Sequence, residues 1–187
     1  MTDPKILGCL YGMALGDALG AVTEFLTVDD IKARFPLDGP QSPIGNPARV
    51  TDDTQMALAV GKALMNAPRP YDARTLPLDL SEAFIAWYHD PENNRAPGNT
   101  CMTSIERLMK WPDVVRDWPQ ATNMGSKGCG ANMRVMPVGL LNVDAATRAG
   151  IAQLQSAITH AHPTALAASD LTAFVIDGLK AGDGVEG

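Results

Sequence analysis

Thr51-Asp52-Asp53-Thr54-Gln55-Met56-Ala57-Leu58-Ala59-Val60 decides how this chain folds, because two carboxylates and two hydroxyls stand directly in front of an apolar run. Thr and Asp in that position mark a helix start. Their side-chain oxygens accept the first free N–H groups, and negative charge suits the positive end of the helix dipole. The same four residues suit a hard divalent cation, since Mg²⁺ and Mn²⁺ take several oxygen ligands and a loop entering a helix can aim neighbouring side chains at one point. The motif alone is compatible with either use.

Outward from this stretch, apolar side chains recur at helical spacing. Leu80, Ala83, Phe84, Trp87 and Tyr88 share one face, and His89-Asp90-Pro91 closes that helix. Asp144 is placed to cap a helix running through Ile151, Leu154 and Ile158, and Pro163 to open a last one through Leu166, Phe174 and Ile176. No stretch alternates apolar and polar residues as a half-buried strand would, so the chain is expected to be all-α. Three segments read as irregular, Leu26 to Val50, Asn93 to Gly98 and Trp111 to Gly130, and function collects in such places. Gly8, Gly12, Gly16 and Gly20 form a bare stripe at a cost of roughly 1 kcal/mol each, which predicts a close backbone neighbour or a helix break. Asp17, set among apolar residues, needs hydrogen-bond donors or a cation beside it, and either a functional or a bracing role satisfies that need.

With 187 residues, 45% of them hydrophobic and 19% charged, the chain is long enough for one core and reads as a single domain, 1–187. A net charge of -6 argues against a nucleic-acid or anionic-membrane partner, both of which select a basic surface. Cys9, Cys101 and Cys129 are odd in number and form no Cys-x-x-Cys, as expected in a reducing compartment. The apolar run Ile6 to Leu15 follows a single basic residue, Lys5, and is about half the ~20 residues that cross a bilayer, so a cytoplasmic protein is expected.

Gly125-Ser126-Lys127-Gly128-Cys129-Gly130 leads into Ala131-Asn132-Met133-Arg134, which reads as a short helix. Backbone N–H groups freed in such a loop can cradle phosphate oxygens, although the same residues also make an ordinary connection. Neither a Walker loop nor a dinucleotide fingerprint is present. Trp111 and Trp118, flanking Pro112 and Pro119, read as a packed loop, and His89 as a solvated helix end.

Four ordered segments carry a family resemblance. They are Gly12-Met13-Ala14-Leu15-Gly16-Asp17-Ala18-Leu19-Gly20 with Glu24-Phe25; Thr51-Asp52-Asp53-Thr54; Ser126 through Gly139; and Thr159-His160-Ala161-His162-Pro163. In order and spacing the chain resembles the ADP-ribosylglycohydrolase family. The resemblance implies an orthogonal all-α domain that cleaves ADP-ribose from modified groups with a dinuclear Mg²⁺ or Mn²⁺ centre. It implies Thr51, Asp52 and Asp53 as metal ligands and a catalytic or metal-linked role for Glu24. Ser126, Gly128, Cys129 and Gly130 would hold the diphosphate and distal ribose, with His160 and the Gly98-Asn99 segment as further contacts.

The family completes its metal centre with an Asp-x-Asp-Thr segment near the C-terminus. Past His162 the acids here are Asp170, Asp177, Asp183 and Glu186, none in that pattern. The chain therefore reads as lacking the family's C-terminal part, with the second metal site incomplete and apolar helix faces left uncovered for self-association. Three functions follow as expectations: hydrolysis of an ADP-ribosyl linkage, a catalytically silent ADP-ribose-binding or structural homologue, or a two-metal phosphohydrolase acting on a nucleotide.

Overall fold

In a computed structural model, which describes residues 3–35, 39–110, 113–182 and 184, the chain forms helices connected by loops. They are α1 (Pro4–Gly20), α2 (Val28–Arg34), α3 (Asp52–Asn66), α4 (Leu76–Tyr88), α5 (Asn99–Leu108), α6 (Val114–Ala121), α7 (Met136–Gly139), α8 (Ala145–Ala157) and α9 (Pro163–Ala181), with a 3₁₀ turn at Cys129–Ala131. Extended pairing among the described residues is confined to two isolated bridges, Gly45 with Ala48 and Asn123 with His160. The all-α expectation holds. None of these helices is long and apolar enough to cross a membrane.

Local chemistry accounts for the helix ends. Thr51 caps α3 by accepting the Asp53 N–H, Asp144 caps α8 by accepting from Thr147, and Pro163 opens α9 behind a cap made by the His162 ring. The α4 helix stops at Tyr88, as the His89-Asp90-Pro91 sequence predicts. Two helices lie inside segments expected to be irregular. The first, α2, begins with a reciprocal capping box between Thr27 and Asp30, a pattern visible in the sequence. The second, α6, contains Pro119, which masks the helical signal. Arg134 follows the 3₁₀ turn at Cys129–Ala131 and precedes α7, where a short helix was expected. Trp111, Pro112, Asp183 and Glu186 lie outside the described residues.

The core is formed where α3 and α4 pack together and α8 and α9 pack together, with α7 between α3 and α9. Met56, Val60, Leu80, Phe84, Ile105 and Ile158 are fully buried there. Facing α8 and α7, α9 turns the small residues Ala165, Ser169 and Ala173 inward, so backbones approach closely. The tightest approach is at Gly139. A Cβ there would lie 2.6 Å from Cβ of Ile176 and 2.8 Å from the Ala173 carbonyl oxygen.

The glycine stripe does not have that role. α1 is continuous, and a Cβ added at Gly8, Gly12, Gly16 or Gly20 would meet no atom within 4 Å among the described residues. Neither expectation for the stripe is met, a close neighbour or a break. Instead α1 rests on α3 and is fastened near its ends, by Lys5 Nζ donating to the Lys180 carbonyl at 2.8 Å and by Asp17. Tyr11 and Leu15 on α1, and Leu171 and Phe174 on α9, remain exposed.

Candidate functional site

Asp17 is the floor of the site. Its Oδ2 accepts the Thr51 N–H (2.9 Å), the Thr54 N–H (3.1 Å) and the Thr54 hydroxyl (2.5 Å), while Oδ1 accepts the Thr51 hydroxyl at 2.7 Å. Of the two roles open to it from the sequence, bracing is the one its geometry displays. By saturating those donors it anchors the first turn of α3 and thereby aims the two acids between Thr51 and Thr54.

Asp52 is buried at 5% exposure, and Asp53 is half-buried. Burial first, and then the charges of Asp53 and Glu24, push the Asp52 carboxyl up to about 7, against the lowering effect of the Gly98 N–H. Asp53 is raised by burial and by the charges of Asp17 and Glu24. Glu24, exposed at the end of the turn after α1, therefore shares one electrostatic neighbourhood with the pair. Neither Asp52 nor Asp53 forms an ion pair among the described residues.

The second wall is the segment after α4. The Asp52 N–H donates to the Arg95 carbonyl at 3.1 Å, and the Gly98 N–H returns a bond to Asp52 Oδ2 at 3.3 Å. Ala96, with φ 59°, supplies the left-handed turn between those two bonds. Arg95 also donates to the Val50 carbonyl at 3.2 Å and pairs with Glu92, which tethers the segment to the strandless approach to α3. Gly98 caps α5 and Asn99 is its first residue, so Thr100, one position on, faces the third wall with its hydroxyl 3.3 Å from that of Ser126.

That third wall is the glycine loop on His160. The Gly128 N–H donates to the Ser126 hydroxyl at 3.3 Å. At Gly130 a Cβ would stand 2.9 Å from both Cys101 Sγ and His160 Cε1, so only glycine lets the loop lie flat on the imidazole. Cys129, exposed, stands between the two glycines. The parallel bridge of Asn123 with His160 holds the loop from behind, through Asn123 N to the Thr159 carbonyl (3.1 Å) and Ala161 N to the Asn123 carbonyl (3.2 Å).

Hydrogen bonds and charge thus link these residues pairwise: Asp52 accepts from Gly98, Thr100 meets Ser126, Gly128 and Gly130 lie on the His160 ring, and the charge of Glu24 reaches both Asp52 and Asp53. His162 serves as a helix cap, and His89 is exposed beside Tyr88. Asp170 accepts from Gln153, and Asp177 bridges Arg148 and Lys180, so both hold α9 in place and stand apart from the acid pair. Sequence reasoning missed Thr100, Cys101, Arg134 and Thr159. A polar Arg134 inside Met133-Arg134-Val135-Met136 was the one available signal.

Asp52, Asp53 and the Thr51 hydroxyl are oxygen donors of the kind a hard divalent cation takes. Two mutually repelling acids with raised pKa, and with no ion pair among the described residues, are chemistry that a cation relieves. The set is partial, because no group of three His, Cys, Asp or Glu among the described residues is placed to hold an ion.

His160 is 2% exposed, and burial, reinforced by the Arg134 charge, pushes its pKa from 6.5 down to about 4. The folded ring resists a proton that the unfolded chain accepts. Stability from the neutral ring is therefore complete above pH 6.5 and declines as pH falls toward 4, by up to about 3 kcal/mol. Asp52, raised to about 7, works in the opposite direction over the same range. The readout is consequently a difference. Urea unfolding at about pH 7 and about pH 4.5 should show His160→Gln gaining on wild type at the acid end, and equal pH slopes for the two proteins would refute the assignment.

Known proteins share this architecture. The ADP-ribosylglycohydrolase family model matches residues 2–186. The ADP-ribosyl-[dinitrogen reductase] glycohydrolase of Rhodospirillum rubrum is 32% identical, in an alignment covering 100% of this chain and 63% of that protein. The ADP-ribosylarginine hydrolase Tri1 of Serratia proteamaculans is 28% identical over 97% of this chain and 49% of its own length. Among solved structures, one described as an ADP-ribosylglycohydrolase-related protein complex superposes with a TM-score of 0.67 at 26% identity, covering 97% of this chain and 58% of its own. The chain thus spans about half to two thirds of the length of these relatives.

Proposed function

Because the chain belongs to the ADP-ribosylglycohydrolase family, we propose that it hydrolyses an ADP-ribosyl glycosidic bond and releases ADP-ribose. What supports this is that Asp52, Asp53 and Glu24 act on one another electrostatically, that Asp52 accepts the Gly98 N–H, and that the glycine loop, joined to Thr100 through Ser126, is seated on a buried neutral histidine. In the reaction, water adds to the anomeric carbon while the bond to the leaving atom breaks with its electron pair. The proton lost by water ends on the leaving group. Positive charge builds on the ribose ring as that bond breaks, and carboxylates beside it lower the cost. Glu24, exposed at the rim, is the residue assigned to that charge and to the proton.

Thr51, Asp52 and Asp53 would hold a Mg²⁺ or Mn²⁺ ion. When bound, such an ion supplies positive charge that offsets the repulsion of the acids and orients ribose hydroxyls. The Ser126–Gly130 loop, with Gly98 and Asn99 on the opposite side, would grip the diphosphate and distal ribose. A linear handle of this kind converts binding energy into orientation at the bond that breaks.

Calorimetric titration with ADP-ribose in the presence of Mn²⁺ tests the assignment. Wild type should bind, and Asp52→Ala and Asp53→Ala should each weaken binding at least tenfold, the equivalent of about 1.4 kcal/mol. Absence of binding by folded wild type, or binding indifferent to both substitutions, would refute it. The partial donor set favours one second reading, a binding protein without turnover. Release of ADP-ribose that falls in Glu24→Gln selects the hydrolase; binding without release selects the binding protein.

A further inference from the structure

Arg134 is fully buried, yet no carboxylate among the described residues pairs with it. Its Nε donates to Gln155 Oε1 at 2.8 Å, and one terminal nitrogen donates both to the Gln155 carbonyl at 2.6 Å and to the Thr159 hydroxyl at 2.7 Å. The other terminal nitrogen faces the sulfurs of Met56 (3.6 Å) and Cys101 (3.7 Å), and the Phe84 ring lies 4.2 Å from the guanidinium carbon. Gln155 is held in register by its own amide, which donates to the carbonyls of Ala131 and Ala152 at 3.1 Å each. An interior this costly to charge, one hydrogen-bonded residue away from the histidine under the glycine loop, calls for a role in positioning.

Hydrogen-bond direction supplies that role. A guanidinium has donors only, so the Thr159 oxygen must accept from Arg134. Thr159 is fully buried, and the remaining neighbour of its hydroxyl is Nδ1 of His160 at 2.8 Å. The Thr159 proton therefore goes to Nδ1, since the alternative leaves a buried hydroxyl proton without an acceptor. With Nδ1 accepting, the imidazole proton of a neutral ring resides on Nε2. That nitrogen has no hydrogen-bond partner among the described residues and lies 3.3 Å from where a Cβ of Gly128 would stand and 3.2 Å from that of Gly130. The backbone that carries the ring is fixed on both sides: the His160 N–H donates to the Ser156 carbonyl at 2.7 Å, and the Ser156 hydroxyl donates to the His160 carbonyl at 3.1 Å.

We propose that Arg134 and Thr159 are positioning residues which, through one directed chain of hydrogen bonds, hold His160 as the Nε2–H tautomer, presenting a neutral donor to an acceptor oxygen of the ligand at the glycine loop. The identity of that ligand rests on the ADP-ribose assignment above; the tautomer does not. A neutral donor with its direction fixed in advance grips an anion's oxygen without needing a second buried charge beside Arg134. It also leaves His160 unable to act as a base toward the ligand, because its lone pair faces Thr159.

The test is long-range ¹H–¹⁵N correlation on histidine-labelled, ligand-free protein at about pH 7.5, where the two ring nitrogens report which one carries the proton. Wild type should show Nε2–H alone. Thr159→Val, which keeps the branched shape and removes the hydroxyl, should give a mixture or the Nδ1–H form and bind ADP-ribose roughly tenfold more weakly. Thr159→Ser, which keeps the hydroxyl, should retain Nε2–H and bind within about twofold of wild type. Nδ1–H in wild type overturns the proposal, as does unchanged Nε2–H in folded Thr159→Val. If Thr159→Val fails to fold, the wild-type and Thr159→Ser spectra still decide. Nε2–H in a wild type that binds no ADP-ribose would sink the ligand assignment and leave the hydrogen-bond chain standing.

Discussion

Asp17→Ala is expected to lower the unfolding free energy by about 4 kcal/mol, because four donors from Thr51 and Thr54 lose their acceptor at once and hydrogen bonds to a charged group are worth about 1.5–3 kcal/mol each. The sum falls short of full additivity for two reasons. Asp17 is half-buried, so water reaches some of the vacated donors, and its charge raises Asp53, so its removal relieves repulsion there. Asp17→Asn should cost about half as much. The amide can keep its oxygen where three donors converge and turn its NH₂ toward the Thr51 hydroxyl. Urea unfolding of both variants gives the ordering directly, and a loss under about 1 kcal/mol in Asp17→Ala would show that α3 holds its first turn without the brace. Because that turn carries Asp52 and Asp53, ADP-ribose binding should fail in Asp17→Ala even at temperatures where the protein remains folded.

Gly139→Ala is the second large effect, and its cause is purely steric. The added carbon would lie 2.6 Å from Cβ of Ile176, 2.7 Å from its Cγ2 and 2.8 Å from the Ala173 carbonyl oxygen. Two of those three atoms belong to a helix backbone or are fixed to it, so rotamer change alone cannot clear the space. Relief comes only by moving α7 against α9, at a cost of about 3 kcal/mol in line with overpacked cores. Thermal unfolding measures this, and a midpoint within a degree or two of wild type would contradict it. Ile176→Ala added to Gly139→Ala should recover little, since Cβ and the carbonyl remain.

Periodicity made the helical class legible, and the ends of α3, α4, α8 and α9 were legible because capping is local: Thr51, Asp144 and Pro163 act within three residues of themselves. The capping box of α2 was equally local and was overlooked, whereas α6 was hidden by Pro119. The glycines illustrate the limit. Gly8 to Gly20 look like a packing stripe, yet a Cβ on any of them would meet nothing within 4 Å among the described residues, while Gly139, one glycine with no pattern around it, sits at the tightest crossing. Small residues declare that space is available, and only the fold determines what fills it. Site residues show the same division. The acids were legible as a run, but Thr100 meets Ser126 across 26 positions and Arg134 meets Thr159 across 25, so neither pairing could be read locally.

The way α1 is fastened has one more consequence. It is a beam pinned near its two ends, with Lys5 on the tail of α9 and Asp17 on the head of α3, and its span carries four positions without side chains. Helix segments rich in glycine and sparsely packed open at lower free energy than the core around them. Each time this one lifts, Thr51 and Thr54 lose their shared acceptor, so the lifetime of the ordered acid pair is set by a sparsely seated helix and not by the well-packed one on which the acids reside.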